Sequence, residues 1–338
     1  MDPAVVAALI TGSVSLLVAV FSVTFTIRTQ AKTAKENSAR DQELARLNAS
    51  LAQRRDAEAA QRDYTYDARK RLYTEVNPLL FRLREVCPGS IWRIRRIVNE
   101  EIELRSEYHA RTSTQRIVGP LVLAQEIQRH MTAVDLRVDP TIKAQYIVSR
   151  ELLWILHEGK AIAAAPPAIR YRGEGAPEEP RQHLTFAQLQ RLVDVFTKQE
   201  KDGTRRPLKL SELEDRKSKK DIANVLQQME TIFGSASPSS TPVLWRLLIA
   251  QASLMHVLVD LVDRGSATVA SVLPANIGDF AWHRDGGPSF ESQMGAVDTF
   301  LRGKLSGSGL FLASTSRSPL RSPPSTTPTS QAASPRSS

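Results

Sequence analysis

One stretch decides the fold of the chain: AVVAALITGSVSLLVAVFSVTFTI, residues 4–27. Its 24 residues include no charged side chain. As an α-helix it would be about 36 Å long at ~1.5 Å per residue, and the hydrocarbon core of a bilayer is ~30 Å thick. The sequence therefore predicts one transmembrane helix over 4–27, preceded by a short N-terminus over 1–3.

The charges around this stretch predict its orientation in the membrane. Asp2 is the only charged side chain before it, whereas Arg28, Lys32 and Lys35 follow it. Because basic residues stay on the cytoplasmic side, we expect residues 1–3 outside and the rest of the chain in the cytoplasm, anchored to the plasma membrane. A basic n-region and an Ala-x-Ala cleavage site are both missing, which favours an uncleaved anchor over a signal peptide.

Small residues recur every four positions in the predicted span, at Ala4, Ala8 and Gly12. They would lie on one face of a helix, where small side chains let two helices approach closely. A homodimer through this face is one interpretation. The other is that alanine and glycine simply belong to the ordinary composition of a span.

A charged segment over 28–63 follows the span and contains neither proline nor glycine, which predicts a long exposed helix, or stalk. Leu44, Leu47 and Leu51 have the spacing of a coiled-coil seam. This seam is shorter than the three or four heptads of a firm coiled coil. We therefore expect the stalk to pair only where another contact, such as the span, brings two copies together.

The remaining chain predicts an all-α body over 64–304 and a tail over 305–338. Apolar residues recur at helical spacing in the body, and 41% of the whole chain is hydrophobic, which is enough for an ordinary core. A stretch rich in Pro and Gly, 161–183, is either a surface loop or a boundary between two lobes. The tail is rich in Ser, Thr, Pro and Arg, and this composition predicts disorder.

Proline and glycine predict the helix ends in the first part of the body. Asn77 and Pro78 should kink a helix or divide it in two, and Pro88 with Gly89 should end the second piece. Residues 111–119 predict a loop.

A tryptophan and three arginines lie close together in the next predicted helix, at Trp92, Arg93, Arg95 and Arg96. We favour a core helix whose basic face is solvated. The alternative is a surface helix that lies on anionic lipid, with the tryptophan in the interface.

Helix starts in the second part of the body follow from capping residues. Asp139 before Pro140 predicts the N-cap and the first residue of a helix. Two capping boxes, each a Thr or Ser followed three residues later by Gln or Glu, predict two more helices. Their residues are Thr185 with Gln188 and Ser211 with Glu214. The residues between them, 198–210, predict a polar loop.

The most apolar stretch of the body, 243–265, is nearly long enough to be a second span. It carries Arg246, Gln251, His256 and Asp260, and a charge at the centre of a span costs about 2.5–3.5 kcal/mol. We therefore expect a buried central helix, with His256 as an ordinary core histidine. A last helix is predicted over 290–301.

Two segments carry a resemblance to a known group of proteins: ARKRLYTEVNPLLFRL at 68–83 and DLRVDPTIKAQYIVSREL at 135–152. They resemble segments of actinobacterial single-pass membrane-anchored helical proteins that have no known activity. The resemblance implies a helical fold and a bacterial membrane setting, and it implies no functional residue.

The motifs of common enzymes are not matched. His283, Arg284 and Asp285 imitate the catalytic tripeptide of protein kinases, but Phe290 stands where the kinase pattern requires Asn. The six histidines lie at least 21 residues apart, and the single cysteine, Cys87, cannot build a sulfur-rich zinc site. We expect no catalytic residue, no cofactor and no metal.

The net charge of +9 is concentrated in two places. Residues 28–72 carry 11 basic and 7 acidic side chains, and residues 302–338 carry five basic and no acidic ones. Basic charge beside a predicted span favours attraction to anionic lipid over binding to nucleic acid.

These features predict a membrane-anchored helical scaffold or sensor that binds a protein partner at the cytoplasmic face of the membrane, without catalysis. The alternative is an enzyme that acts on a membrane-side substrate at a site assembled from distant residues. The expected partners are the lipid bilayer and a protein that the sequence does not identify.

Overall fold

The computed structural model describes residues 2–99, 107–133, 135–170, 182–201, 203–216, 220–233, 236–264 and 287–306. Within them the chain is almost entirely helical, with one two-stranded antiparallel hairpin, which confirms the predicted all-α class. The chain divides into two compact units, Met1–Asp67 and Ala68–Ser338.

The helices and strands follow one another along the described chain, with short 3-10 turns after α3 and α4. The α-helices are α1 (Pro3–Glu75), α2 (Asn77–Val98), α3 (Glu107–His130), α4 (Pro140–Trp154), α5 (Gly159–Ala163), α6 (Phe186–Val195), α7 (Leu210–Arg216), α8 (Lys220–Phe233), α9 (Pro242–Asp263) and α10 (Gly287–Leu305). The strands are β1 (Thr197–Gln199) and β2 (Arg205–Pro207).

The break between α1 and α2 lies at the predicted proline. Val76 separates the two helices, and Pro78 lies in the first turn of α2, where its missing N–H removes no helical hydrogen bond. The prediction that Pro88 and Gly89 end this helix is wrong, because α2 continues to Val98. Packing of α2 against α3 and α9 stabilises the helix on both sides of the internal proline.

A second internal proline, Pro120 in α3, cannot donate to the carbonyl of Arg116 four residues earlier. The hydroxyl of Ser90 on α2 donates to that carbonyl at 2.6 Å. The side-chain amide of Gln251 on α9 donates to the adjacent carbonyl of Ile117 at 2.8 Å. Side chains of two neighbouring helices therefore replace hydrogen bonds that the proline disturbs.

Two segments predicted as loops contain regular structure. Residues 111–119 lie in α3, so that prediction is wrong. Residues 198–210 contain most of the hairpin, in which Lys198 is paired with Arg206. Gly203 has a φ of +84° in the turn, a left-handed conformation that glycine adopts at little cost.

The predicted cap of α4 is confirmed. The carboxylate of Asp139 accepts hydrogen bonds from the backbone N–H groups of Thr141 at 2.9 Å and Ile142 at 3.0 Å. The hydroxyl of Tyr73 also donates to this carboxylate, at 2.6 Å. Asp139 therefore supplies the acceptor for two N–H groups at the start of α4. It also links α4 to Tyr73, near the end of α1.

The first predicted capping box is confirmed, and the second is wrong. Thr185 and Gln188 exchange side-chain and backbone hydrogen bonds at the start of α6. In contrast, α7 begins at Leu210, so Ser211 lies inside the helix instead of preceding it. Ser211 cannot be the N-cap, because β2 ends at Pro207 and α7 already begins at Leu210.

The predicted central helix of the body is confirmed. The apolar window of α9 is 83% buried, and the helix packs against α2, α4, α5 and α10. The indole N–H of Trp245 donates to the carbonyl of Val98 at 3.1 Å, where α2 ends and carbonyls lack helical partners. His256 lies in a partly buried position on this helix.

Some predictions fall on residues outside the described chain. These are the kinase-like tripeptide at 283–285 and the tail from 307 onward. Residues 171–181 of the possible lobe boundary also lie outside it, and the division into two lobes stays a prediction. The predicted last helix over 290–301 is present as part of α10.

Candidate membrane anchor

The first part of α1 presents large apolar side chains on every side. Twelve of them between Val5 and Ile27 have exposed fractions of 54% to 77%. The most apolar window of the helix is 0% buried, so no protein surrounds it within the described chain. A helix that is apolar on every side is stable only when protein or lipid surrounds it. The helix is long and apolar enough to cross a membrane.

Four hydroxyl groups of this stretch donate to carbonyls of the same helix. Thr11, Thr24 and Thr26 each donate to the carbonyl four residues earlier at 2.8 Å. Ser13 donates to the carbonyl of Ile10 at 2.9 Å. Hydrocarbon offers no water to an unsatisfied polar group, and such a group costs several kcal/mol there. These internal hydrogen bonds suit a helix that lipid surrounds.

The three basic residues predicted to set the orientation lie directly after the apolar stretch. Arg28, Lys32 and Lys35 are exposed, and their spacing of four and three residues aligns them along one side of α1. The ammonium of Lys32 lies 4.0 Å from the carboxylate of Glu36, an exposed contact that contributes little to stability. The three charges are therefore available for contact with lipid headgroups.

The small-residue face predicted for dimerisation is open. Ala4, Ala8 and Gly12 are exposed, and a Cβ atom added at Gly12 would meet nothing within 4 Å. Leu44 and Leu51, which belong to the predicted seam of the stalk, are exposed by 57% and 49%. A homodimer through the span and the stalk stays a prediction.

The described titratable side chains of the body were compared with the requirements of a metal site. Within the described ranges, no three His, Cys, Asp or Glu side chains lie close enough together to hold a metal ion. Cys87 is buried, and burial raises the pKa of its thiol, so the nucleophilic thiolate is suppressed. Burial is also the main cause that lowers the pKa of His183 and of His256.

An ion-pair cluster fixes the hairpin to α7. The guanidinium of Arg206 donates to the carboxylates of Glu200 at 2.6 Å and Glu212 at 2.7 Å, and the ammonium of Lys198 donates to Glu212 at 2.5 Å. Hydrogen bonds from Arg206 and then Lys198 hold the pKa of Glu212 far below its usual range. Because every member has a partner, we interpret the cluster as structural.

The predicted basic face of α2 is only partly solvated. Trp92 is 51% exposed, but only 8% of Arg93 is exposed. The helix belongs to the core, as expected, because it packs against α3 and α9. The burial of Arg93 could not be predicted from the spacing along α2, because it depends on the position of α3.

Comparison with protein-family models found no match. Comparison with curated proteins and comparison with solved structures also found none. The resemblance to actinobacterial membrane-anchored proteins stays a prediction.

Proposed function

We propose that the chain is a membrane-anchored helical protein whose body binds a protein partner at the cytoplasmic face of the plasma membrane. One observation carries the anchor: a helix near the N-terminus exposes large apolar side chains on every side, while four hydroxyls of its apolar stretch are bonded internally. By contrast, α9, the second helix of sufficient length and hydropathy among the described residues, has 83% of its apolar window buried in the body and needs no lipid.

The orientation in this proposal rests on Arg28, Lys32 and Lys35. Three basic side chains in the first two turns after the apolar stretch favour the cytoplasmic side, where anionic lipids attract them. Residues 1–3 would then lie outside, and the stalk and the body would lie inside the cell.

Membrane retention tests the anchor. We expect the wild-type chain to stay in the membrane pellet after an alkaline carbonate wash. The double variant Leu16→Arg/Leu17→Arg should appear in the soluble fraction, because each charge near the middle of a span costs about 2.5–3.5 kcal/mol. The control Leu44→Arg/Leu47→Arg changes exposed leucines outside the apolar stretch and should stay in the pellet. Retention of both variants would contradict the anchor.

An aromatic pair, of which Phe186 is exposed and Trp154 is half-buried, supports the binding of a partner by the body. The rings of Phe186 and Trp154 stack at 5.4 Å with an angle of 11°, and Phe186 is 55% exposed. The ring of His157 meets Phe186 edge-on at 6.2 Å. Rigid exposed aromatic groups are typical anchor points of protein interfaces.

Site-specific cross-linking tests this part of the proposal. A photoreactive amino acid at position 186 should give one discrete cross-linked product in membranes of the native host. The control position is Asp194, which is exposed on the same helix. The same products from both positions, or no product from position 186, would contradict binding through the aromatic pair.

A further inference from the structure

Arg93 is a buried cation without a counter-ion in the described chain. It is 8% exposed, its Nε atom is buried, and this atom has no hydrogen-bond partner. The guanidinium of Arg93 lies 5.4 Å from the centroid of the Trp92 ring. A buried cation costs free energy unless an anion or several hydrogen-bond acceptors compensate it. The groups around Arg93 therefore indicate which kind of ligand could compensate its positive charge.

The neighbours of Arg93 increase the local positive charge. Burial lowers the pKa of Arg93 most, and the nearby Arg96 and Arg116 lower it further, whereas Tyr108 raises it. The guanidinium of Arg96 lies 4.8 Å above the ring of Trp92. Like Arg93, Arg116 forms no ion pair with a described carboxylate. Several guanidinium groups thus converge at one place between α2 and α3.

Gly89 positions one of these groups. A Cβ atom at residue 89 would lie 2.2 Å from Nη1 of Arg116, so the guanidinium occupies the space that any larger residue would fill. The guanidinium of Arg116 is therefore held directly over the backbone of α2.

The neighbouring helix α3 carries a buried hydroxyl that has no hydrogen-bond partner in the described chain. Ser90 on α2 contacts Arg116 on α3 through a hydrogen bond of 2.6 Å. Arg93 lies three residues further along α2, and Ser113 lies three residues earlier on α3. An antiparallel pairing of α2 and α3 would bring these two residues to the same level. The hydroxyl of Ser113 is buried and has no hydrogen-bond partner. In that arrangement a single ligand would contact both the guanidinium of Arg93 and the hydroxyl of Ser113.

We propose that Arg93, Arg116 and Ser113, supported by Arg96, form a binding site for a phosphate group. A tetrahedral phosphate presents several oxygens, which can accept the N–H groups of two guanidinium ions and a hydroxyl at once. The inference goes beyond the proposed anchor and does not depend on it. A free phosphate compound and a lipid headgroup share this chemistry.

The test uses the full chain in nanodiscs of phosphatidylcholine and measures the Tm by circular dichroism. Inorganic phosphate should raise the Tm of the wild-type chain by about 5 °C at roughly 100 times its Kd. Chloride at the same ionic strength should have no such effect. Arg93→Met should have a higher Tm than wild type in phosphate-free buffer, because an uncompensated cation is removed, and it should lose the response to phosphate.

Two further variants keep the test decisive if Arg93→Met does not fold. Arg116→Gln changes an exposed side chain and should weaken phosphate binding at least about tenfold. The matched control Arg264→Met removes an exposed arginine of α9 that pairs with Asp260 at 3.3 Å, and it should leave the phosphate response unchanged.

The outcomes also distinguish the source of the phosphate. A response to inorganic phosphate supports a soluble ligand. A Tm increase that occurs only in nanodiscs containing phosphatidylglycerol, and that Arg116→Gln removes, supports a lipid headgroup. Equal responses of wild type and Arg116→Gln, or a lower Tm of Arg93→Met together with no response to phosphate or anionic lipid, would overturn the proposal.

Discussion

Arg246 shows how a single side chain can join three segments of the body. It is fully buried on α9, and its guanidinium donates to the carbonyls of Ile162 at 2.9 Å and Pro167 at 2.9 Å. Its Nε donates to the side-chain carbonyl of Gln293 on α10. Carbonyl groups near the end of α5 lack helical partners, and the arginine supplies donors for them. Burial lowers the pKa of Arg246 to about 10, so the side chain remains charged at neutral pH.

We predict that Arg246→Met lowers the free energy of unfolding by about 2–4 kcal/mol, because several buried carbonyls lose their donor at once. Denaturant unfolding of the full chain in detergent micelles measures this difference. Arg264→Met, at an exposed position, should change it by less than about 0.5 kcal/mol. An unchanged stability of Arg246→Met would show that the carbonyls find other donors.

The buried histidine His183 predicts a pH dependence of stability. Its pKa is lowered by burial and by the nearby His157 and Lys160, so the folded state resists protonation. The unfolded state binds a proton near the ordinary pKa of ~6.5. The free energy of unfolding should therefore be greatest above this pH and should decrease as the pH falls below it.

Denaturant titrations between pH 8 and pH 5 would show this decrease in the wild-type chain. His183→Gln should flatten it, whereas His109→Gln, at an exposed residue of α3, should retain the wild-type dependence. Any decrease of the free energy of unfolding with pH that remains in His183→Gln would include the contribution of His256, because its pKa is also lowered chiefly by burial. An identical slope in all three chains would contradict the assignment to His183.

Local patterns predicted some residues of this structure and missed others for a physical reason. Asp139 and the Thr185–Gln188 box were predictable because an N-cap acts within three residues of its own position. The burial of Arg93 and Arg246 was not predictable, because their partners or neighbours lie on other helices. The same limit applies to the candidate phosphate site, which combines residues of α2 and α3.

Among the elements, α3 depends on its neighbours to remain helical through Pro120. The hydroxyl of Ser90 replaces the backbone donor that the proline lacks, at the carbonyl of Arg116. The sequence predicted a helix end at Pro88, because proline inside a helix usually ends it, and a loop over 111–119. Tertiary hydrogen bonds and packing overrode that preference.

A double-mutant cycle tests this replacement. Ser90→Ala should cost about 1–2 kcal/mol in the chain that contains Pro120, because the Arg116 carbonyl is left unsatisfied. In the Pro120→Ala background the backbone N–H of residue 120 can donate to this carbonyl, so Ser90→Ala should cost clearly less. A coupling of about 1 kcal/mol is expected from denaturant unfolding, and strictly additive effects would refute the replacement.

At the scale of the whole molecule, the apolar helix near the N-terminus distinguishes the chain from a protein that consists of a helical body alone. Its composition was sufficient to predict a helix of membrane-spanning length, because length and hydropathy are local properties. The burial of α9 in the body was also predictable. Four polar or charged side chains interrupt its apolar surface and make insertion into a membrane unfavourable. Orientation and partner depend on the surroundings of the protein, and they remain proposals.

The most direct test of the proposed topology is labelling of single introduced cysteines with a membrane-impermeant maleimide, in spheroplasts of a bacterial expression host. Asp2→Cys and Ser50→Cys place thiols at exposed positions on either side of the apolar stretch. The natural Cys87 is buried and its pKa is raised by burial, so it should stay unlabelled in the folded chain.

We expect Asp2→Cys to be labelled in intact spheroplasts and Ser50→Cys to be labelled only after lysis. Labelling of Ser50→Cys in intact spheroplasts, with protection of Asp2→Cys until lysis, would contradict the account and place the body outside the cytoplasm.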